Sequence, residues 1–484
     1  MWRLSDCLVS IRFPLGRFVF SIVCDIGHVL PEVCVRNQDQ WKGEDVKPLP
    51  VLNEHAAGID VGSETLHVSI AGDMPEVFGT MTRDLEKLKG YLLEKGVQTV
   101  AMEATGVYWL CAYEILEGAG IEVVVVNGRH VKNVPGRKTD MADCQWIATL
   151  HAHGLLRSGF VPSAAVRRLQ DYLRLRQDRI ALAAGHVQHM QKALERMNIK
   201  LHDVITDLTG VSGMSVIRAI LSGERDPLAL LNLCTVQIRK NKAEAICESL
   251  RGTWKEEQLF ALRQAVEARD FYQVQIAQCD AAIETILKEM AGPEDPQAPL
   301  SSPPRVKKVP SANAPNIAGL HGLLMKLCGQ HDPTTIPAIT DYSLLELISE
   351  VGTDLKRWPT PKHFTAWVGL APGANQSGKR RPSVRRRERD RAGRLFCMLA
   401  QSLSRSVDKA LGGFYRRIRA RRGGLVANQA LARKLATMFW QVMVHGVAYV
   451  EEGMKKYEER VRQTEQNTLR KLAKRHGMVL QAAT

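Results

Sequence analysis

The chain has 484 residues, and 66 Lys+Arg against 51 Asp+Glu give it a formal net charge of +15. At roughly 100–200 residues per domain this length allows two to four domains. The 45% apolar and 24% charged fractions exclude a wholly disordered or collagen-like chain. The ten cysteines never come closer than ten residues to one another, which excludes a zinc ribbon and argues against a disulfide framework. A reducing cytoplasm is therefore expected. No apolar run is long enough to span a membrane, and Phe18–Cys24, between Arg17 and Asp25, is too short for a convincing signal peptide.

Residues 1–50 show no sustained period. They read either as a folded extension or as upstream sequence taken in by an early start. From Ala57 to Ala71 two short strands flank a Gly62-Ser63-Glu64 turn, and a third is expected near Glu76–Thr82. A helix from Asp84 to about Glu94, a buried strand Gln98–Glu103, a helix after Gly106 and a strand Glu122–Asn127 follow. Three strands and then alternating helix and strand predict a mixed sheet with helices against it, an α/β domain.

Val166, Leu169, Leu173, Arg176, Ile180, Ala183, Val187, Met190, Leu194, Met197 and Leu201 step alternately by three and four, the seam of a coiled coil or helical hairpin with Arg176 its one polar member. A second helical run spans Glu256–Met290. The two predict packing on each other or on copies in another subunit. Gly292–Pro315 holds seven prolines and reads as a linker. A mostly helical region from about Asn316 to Gly453 and a polar, basic helix over Lys455–Arg475 complete the chain.

Asp60 interrupts an apolar strand between Ile59 and Val61, and Glu103 ends another. Charges in core strands are costly unless paired or bound to a cation. Asp140 and Asp143 open a helix, and their i,i+3 spacing puts both on one face. Acids at a helix start also suit the macrodipole with no further role. If the four converge, their oxygens suit hard cations such as Mg²⁺, and two such ions roughly 3.5–4 Å apart serve phosphodiester chemistry. Arg137 and Lys138, just upstream, either contact phosphate or offset the local negative charge.

The charge concentrates further on. Lys379–Arg422 carries 16 Lys/Arg and three acids, +13 of the net charge, an electrostatic footprint for a polyanion. Gly373–Lys379 spells a phosphate-loop pattern, but Arg380 stands where a Ser or Thr should meet Mg²⁺ and no helix opens, so the phosphate-loop reading fails. The same loop offers Ser377 either as a nucleophile among Lys379, Arg380, Arg381, Arg385, Arg386 and Arg387 or as part of a surface turn. Phe414 and Tyr415, next to Arg416 and Arg417, suit either nucleic-acid contact or a helical core.

Gly58-Ile-Asp-Val-Gly62, Met102-Glu-Ala-Thr-Gly106 with Tyr108-Trp109, Asn133–Asp143, Gly369-Leu-Ala-Pro372 with Ser377-Gly378, and Ala432-Arg-Lys434 together resemble the transposases of insertion-sequence family 110, the bridge-RNA-guided serine recombinases. The resemblance covers roughly Ala56–Gly453. It implies an RNase H-like, RuvC-type domain over 55–163 whose Asp-Glu-Asp-Asp quartet is Asp60, Glu103, Asp140 and Asp143, holding Mg²⁺, two ions expected. A helical coiled-coil region over 164–291, the linker 292–315, a transposase domain over 316–453 with Ser377 as nucleophile, and a basic tail over 454–484 would follow. The resemblance further implies a phosphoserine link to DNA, a site composed across subunits of a dimer that pairs into a tetramer on DNA, a non-coding bridge RNA pairing with donor and target DNA, and a place in the bacterial cytoplasm at the nucleoid. Two departures stand out: the first fifty residues lack a family counterpart, and Lys379 replaces the second glycine after the serine. Besides a serine recombinase, the residues are compatible with a metal-dependent nuclease or junction resolvase, and with a nucleic-acid-binding protein without catalysis.

Overall fold

The computed structural model describes residues 50–128, 140–293, 313–372, 389–406 and 410–478, side chains excepted at 140–142, 449–458 and 461. They fall into two compact units, divided between Phe160 and Val161.

The first unit is built on a five-stranded mixed sheet. Its strands are β1 (Ala56–Val61), β2 (Thr65–Ile70), β3 (Glu76–Gly79), β4 (Thr99–Glu103) and β5 (Glu122–Val126), in the order β3-β2-β1-β4-β5. β2 runs antiparallel to β1 and to β3, whereas β4 and β5 run parallel to β1. The parallel pairs require crossovers, and helices α1 (Thr82–Glu94) and α2 (Trp109–Gly118) supply them. α1 buries Leu85, Leu88 and Leu92, and α2 buries Ala112, Tyr113 and Leu116. The central strands are covered on both faces, with Ala57, Ile59, Val100, Ala101 and Met102 buried, hence their near-continuous apolar character.

α3 (Asp140–Ala152) lies along one sheet face with Cys144, Ile147 and Ala148 fully buried. Gly58 permits this close approach. A Cβ there would sit 2.3 Å from the Ala148 amide nitrogen and 2.5 Å from the Cys144 carbonyl, both backbone atoms that cannot rotate aside. The far end of α3 is fastened below the start of the strands: the Thr99 hydroxyl bonds the buried His151 ring at 2.9 Å, and the Leu52 amide donates to the Ala152 carbonyl. Burial pushes the His151 imidazole below its ordinary pKa, so it serves as a neutral structural group.

The second unit begins with a helical hairpin. α4 (Ala164–Arg196) and α9 (Glu256–Ala291) run antiparallel, as the cross-pairs Arg168–Glu289, Arg176–Asp280 and His186–Tyr272 require. The two predicted helical runs therefore pack on each other. Leu169, Leu173, Ala183, Met190 and Leu194 of the seam are buried as its period predicts. The helix stops short of the seam's last members: Asn198, with φ of 55°, turns the chain, and Met197 and Leu201 are buried outside α4. At that end α5 (Leu201–Val204), α6 (Val211–Leu221), α7 (Pro227–Asn232) and α8 (Val236–Ser249) form a cap, whose core includes Ile217, Ile220, Leu230 and Ile246.

The other end of the hairpin carries the remaining helices. These are α10 (Leu320–Leu327), α11 (Asp341–Val351), α12 (Pro361–Trp367), α13 (Arg391–Leu403), α14 (Leu411–Arg422) and α15 (Gly424–His445); α12, α13 and α15 meet at an aromatic core of Trp358, Phe364, Phe396 and Phe439. α11 docks on α4 through Arg174 to Glu350, Gln170 to Glu350 and the Ser349 carbonyl, and Gln177 to Glu346. After Gly446, with φ of 87°, α16 (Val447–Arg475) runs through Gly453 without a break. None of the seven cysteines among the described residues is in a disulfide, and among those residues no helix is long and apolar enough to cross a membrane.

Candidate active site

Alternation along the strands brings Asp60 and Glu103 to one edge of the sheet. Gly58 and Asp60 share a face of β1, since residues two apart point the same way. Gly58 pairs with Ala101 and faces α3, and two residues on, Glu103 takes the same face at the end of β4. Ile59 pairs with Met102, so Asp60 and Glu103 leave neighbouring parallel strands at the same edge. α3 runs with Ala152 toward the strand starts and therefore brings its first turn, with Asp143, toward this edge.

The Cys144 thiol reports the convergence. Burial raises it, and the nearby Asp60 and Asp143 charges raise it further, to about 11. It is thus a neutral thiol packed beneath two carboxylates. The Glu103 carboxyl rests on Gly128, where a Cβ would fall 2.0 Å from Oε1. Any side chain at 128 would displace it. Asp60 is half-buried, as are Glu103 and Asp143. Asp140 begins α3, but its side chain, like Arg137 and Lys138, lies outside the described residues. Among the described residues no three His, Cys, Asp or Glu side chains form a group able to hold a metal ion.

Beside this edge, His67 was not singled out from the sequence, and Tyr108 entered only as part of the family pattern. His67 pairs with Asp60 across β1 and β2, so it shares the carboxylate face. Its alternate-residue spacing in β2 was the available signal. Tyr108 stands exposed at the entry to α2.

Altering Gly58 tests how tightly this edge is built. Gly58→Ala forces α3 off the sheet, with an expected loss of about 1–3 kcal/mol, measurable by chemical denaturation. The same shift carries Asp143 away from Asp60, so activity should fall in a variant that still folds.

In the second unit, Ser377, Lys379, Arg380, Arg381, Arg385, Arg386 and Arg387 lie outside the described residues. The described residues on either side of that segment are well anchored. On one side the Leu370 amide donates to the Thr365 carbonyl, and Gly369 adopts φ of 72°. On the other, Asp390 caps α13 by accepting from the Gly393 amide at 2.7 Å. Gly393 is held so close beneath α12 that a Cβ would lie 2.1 Å from the Val368 carbonyl.

α14 presents Arg416, Arg417, Arg419, Arg421 and Arg422 to solvent. Its last three arginines suit the negative end of the helix. The Arg416 guanidinium also donates to the Ser406 carbonyl at 2.9 Å. Tyr415 is buried, and the Phe414 ring carries the Lys434 ammonium 5.2 Å from its centroid, so both aromatics take part in packing. Burial, and secondarily Arg417, lower the Lys434 pKa.

Residues 57–199 match the family model described as a transposase, that of the DEDD transposases of IS110. Residues 334–416 match the model of the transposase IS116/IS110/IS902 family. The chain carries IS110-type transposase domains. The first match covers the carboxylate edge and runs into α4; the second includes the span from the 3₁₀ turn Pro333–Thr335 into α14, and with it Ser377. Such domains support a transposase function, that of an enzyme that cuts and rejoins DNA. A comparison with curated proteins found no match.

Proposed function

We propose that this chain is an insertion-sequence transposase that recombines DNA through a phosphoserine intermediate on Ser377, with Asp60, Glu103, Asp140 and Asp143 as the carboxylate half of the site. The observation that carries the reading is the meeting of Asp60, Glu103 and the first turn of α3 at one sheet edge, inside the segment matched by the DEDD transposase model. The strand order β3-β2-β1-β4-β5, with β2 alone reversed beside β1, supports an RNase H-like, RuvC-type domain over 55–163. The helical region over 164–291 and the transposase domain over 316–453 belong to the same reading.

The donor set fits Mg²⁺. All four side chains are carboxylates, and Mg²⁺ is commonly held by one or two carboxylates, keeping waters and phosphate oxygens as its other ligands. A closed protein cage is therefore not required of the described residues. When bound there, divalent ions would neutralise charge on the scissile phosphate and favour ionisation of the attacking hydroxyl.

The chain's own residues do the rest. Ser377 Oγ attacks phosphorus, the Oγ–P bond forms, and one P–O bond to the sugar breaks. The departing sugar oxygen takes up a proton. A hydroxyl of the second strand then attacks the same phosphorus, restoring a diester and returning the proton to Ser377. One ester is exchanged for another at each step, so no external energy source is needed. Arg416 and Arg417 would hold strand phosphates, as would Arg137, Lys138, Lys379, Arg380, Arg381, Arg385, Arg386 and Arg387, because guanidinium groups pair well with phosphate oxygens.

The strong basic segment also suits a structured bridge RNA, whose pairing with donor and target would choose sequence while the protein contributes backbone contacts. The same reading includes a homodimer that pairs into a tetramer on DNA, and a place at the bacterial nucleoid. A nuclease using the carboxylate edge alone is the competing reading, favoured by Asp60, Glu103 and Asp143 all belonging to the first unit. The discriminating experiment is a denaturing-gel assay for covalent protein–DNA adducts, run with RNA from the flanking element and both DNAs. Adducts should form with wild type and vanish in Ser377→Ala. If Ser377→Ala cuts and joins normally, the serine mechanism is wrong.

A further inference from the structure

We infer that Tyr108 is a base-stacking residue that positions a nucleotide beside the carboxylate edge. This rests on the reading of that edge as a DNA-cutting site. Glu103 ends β4, and the chain then folds tightly: the Thr105 amide donates to the Glu103 carbonyl, and the Tyr108 amide to the Thr105 carbonyl. Two successive turns thus keep the residue before α2 near the strand end that bears Glu103. Gly106, with φ of 55°, lies under the Tyr108 ring, whose Cδ2 and Cε2 stand 3.5 Å from where a Cβ would be.

Tyr108 is 51% exposed and Val107 beside it 69% exposed. α2 makes its own packing with Ala112, Tyr113 and Leu116, and Trp109 rests edge-on against Tyr113, so the helix has no need of Tyr108. An aromatic ring left to water at the rim of a phosphate-handling edge offers what an unpaired base requires, because base–aromatic stacking tolerates every base. A nucleotide seated there would fix the strand while its neighbouring phosphate meets the carboxylates. The arginines and lysines assigned above to strand phosphates would hold the backbone rather than seat a base. Tyr108 acts on position, not on the reacting atoms.

The test uses the full chain and a single-stranded 20-mer of deoxythymidine carrying 5-iodouracil, which crosslinks to a stacked aromatic ring under long-wavelength ultraviolet light. Peptide mapping should find the crosslink on Tyr108. Tyr108→Phe should keep both the crosslink and the affinity. Tyr108→Ala should abolish the crosslink and weaken binding by roughly tenfold. Crosslinks that all map elsewhere, or a Tyr108→Ala chain that binds as wild type, overturn the inference. Metal-dependent cutting that is lost in Asp60→Asn but unchanged in Tyr108→Ala would sink this inference alone. A Tyr108 crosslink beside cutting that ignores Asp60→Asn would keep the stacking residue and sink the reading of the edge.

Discussion

Arg176→Ala is expected to destabilise the helical unit by about 3–5 kcal/mol, the cost of leaving a buried charge without its partner. Arg176 is 2% exposed, and its Nε donates to Asp280 Oδ1 at 2.5 Å across the hairpin. Its Nη1 donates to the Asn313 carbonyl at 2.8 Å, and the other Asp280 oxygen accepts the Asn316 amide. One ion pair therefore clamps both hairpin helices to the segment that enters α10. Tyr342 and Glu346 of α11 lie against the same guanidinium, with the Arg176 carbon 5.5 Å from the tyrosine ring. Burial raises the pKa of both groups, the phenol to about 12, and Arg176 opposes the rise in each. Removing Arg176 strands the Asp280 carboxylate and frees the start of the C-terminal helices together. Urea denaturation should show the loss as a lower midpoint. Replacing both partners, Arg176→Met with Asp280→Leu, should recover most of it, since an apolar pair leaves no charge unpaired. A single-variant loss below about 1 kcal/mol would place the pair among weak surface bridges.

That clamp marks where sequence reading stops. The seam of α4 was legible because a three-four alternation survives in any context, and Arg176 was visible as its one polar step. Its meaning was not, because Asp280 lies 104 residues away and pairs only once the hairpin closes. The strands behaved likewise: the apolar runs around Asp60 and Glu103 fixed β1 and β4 nearly to the residue. Their adjacency as parallel neighbours, with α3 across them, depends on pairings that no local pattern carries. Gly58 looked like any strand glycine until the Ala148 amide was found against it. The cap between Met197 and Lys255 left little periodic signal, being built from short helices joined by tight turns. Asp140 and Asp143 could be placed on one helical face from spacing alone, yet spacing could not separate a ligand from an acid that merely favours a helix start.

The carboxylate edge bears the second large effect. Asp60→Asn and Asp143→Asn keep volume and shape while removing the charge that would attract a divalent ion. Neither should unfold the chain: both side chains are only half-buried, and amides tolerate that setting. Losing a ligand that stabilises transition-state charge by several kcal/mol corresponds to at least about a thousandfold in rate. The measurement is Mg²⁺-dependent strand cutting and joining by full-length wild type, Asp60→Asn and Asp143→Asn, with RNA from the flanking element and both DNAs supplied. Cutting by wild type that requires Mg²⁺ and falls at least about a thousandfold in both folded variants is the predicted result. Variants that cut and join at the wild-type rate would contradict the claim that this sheet edge is the metal-holding half of the site.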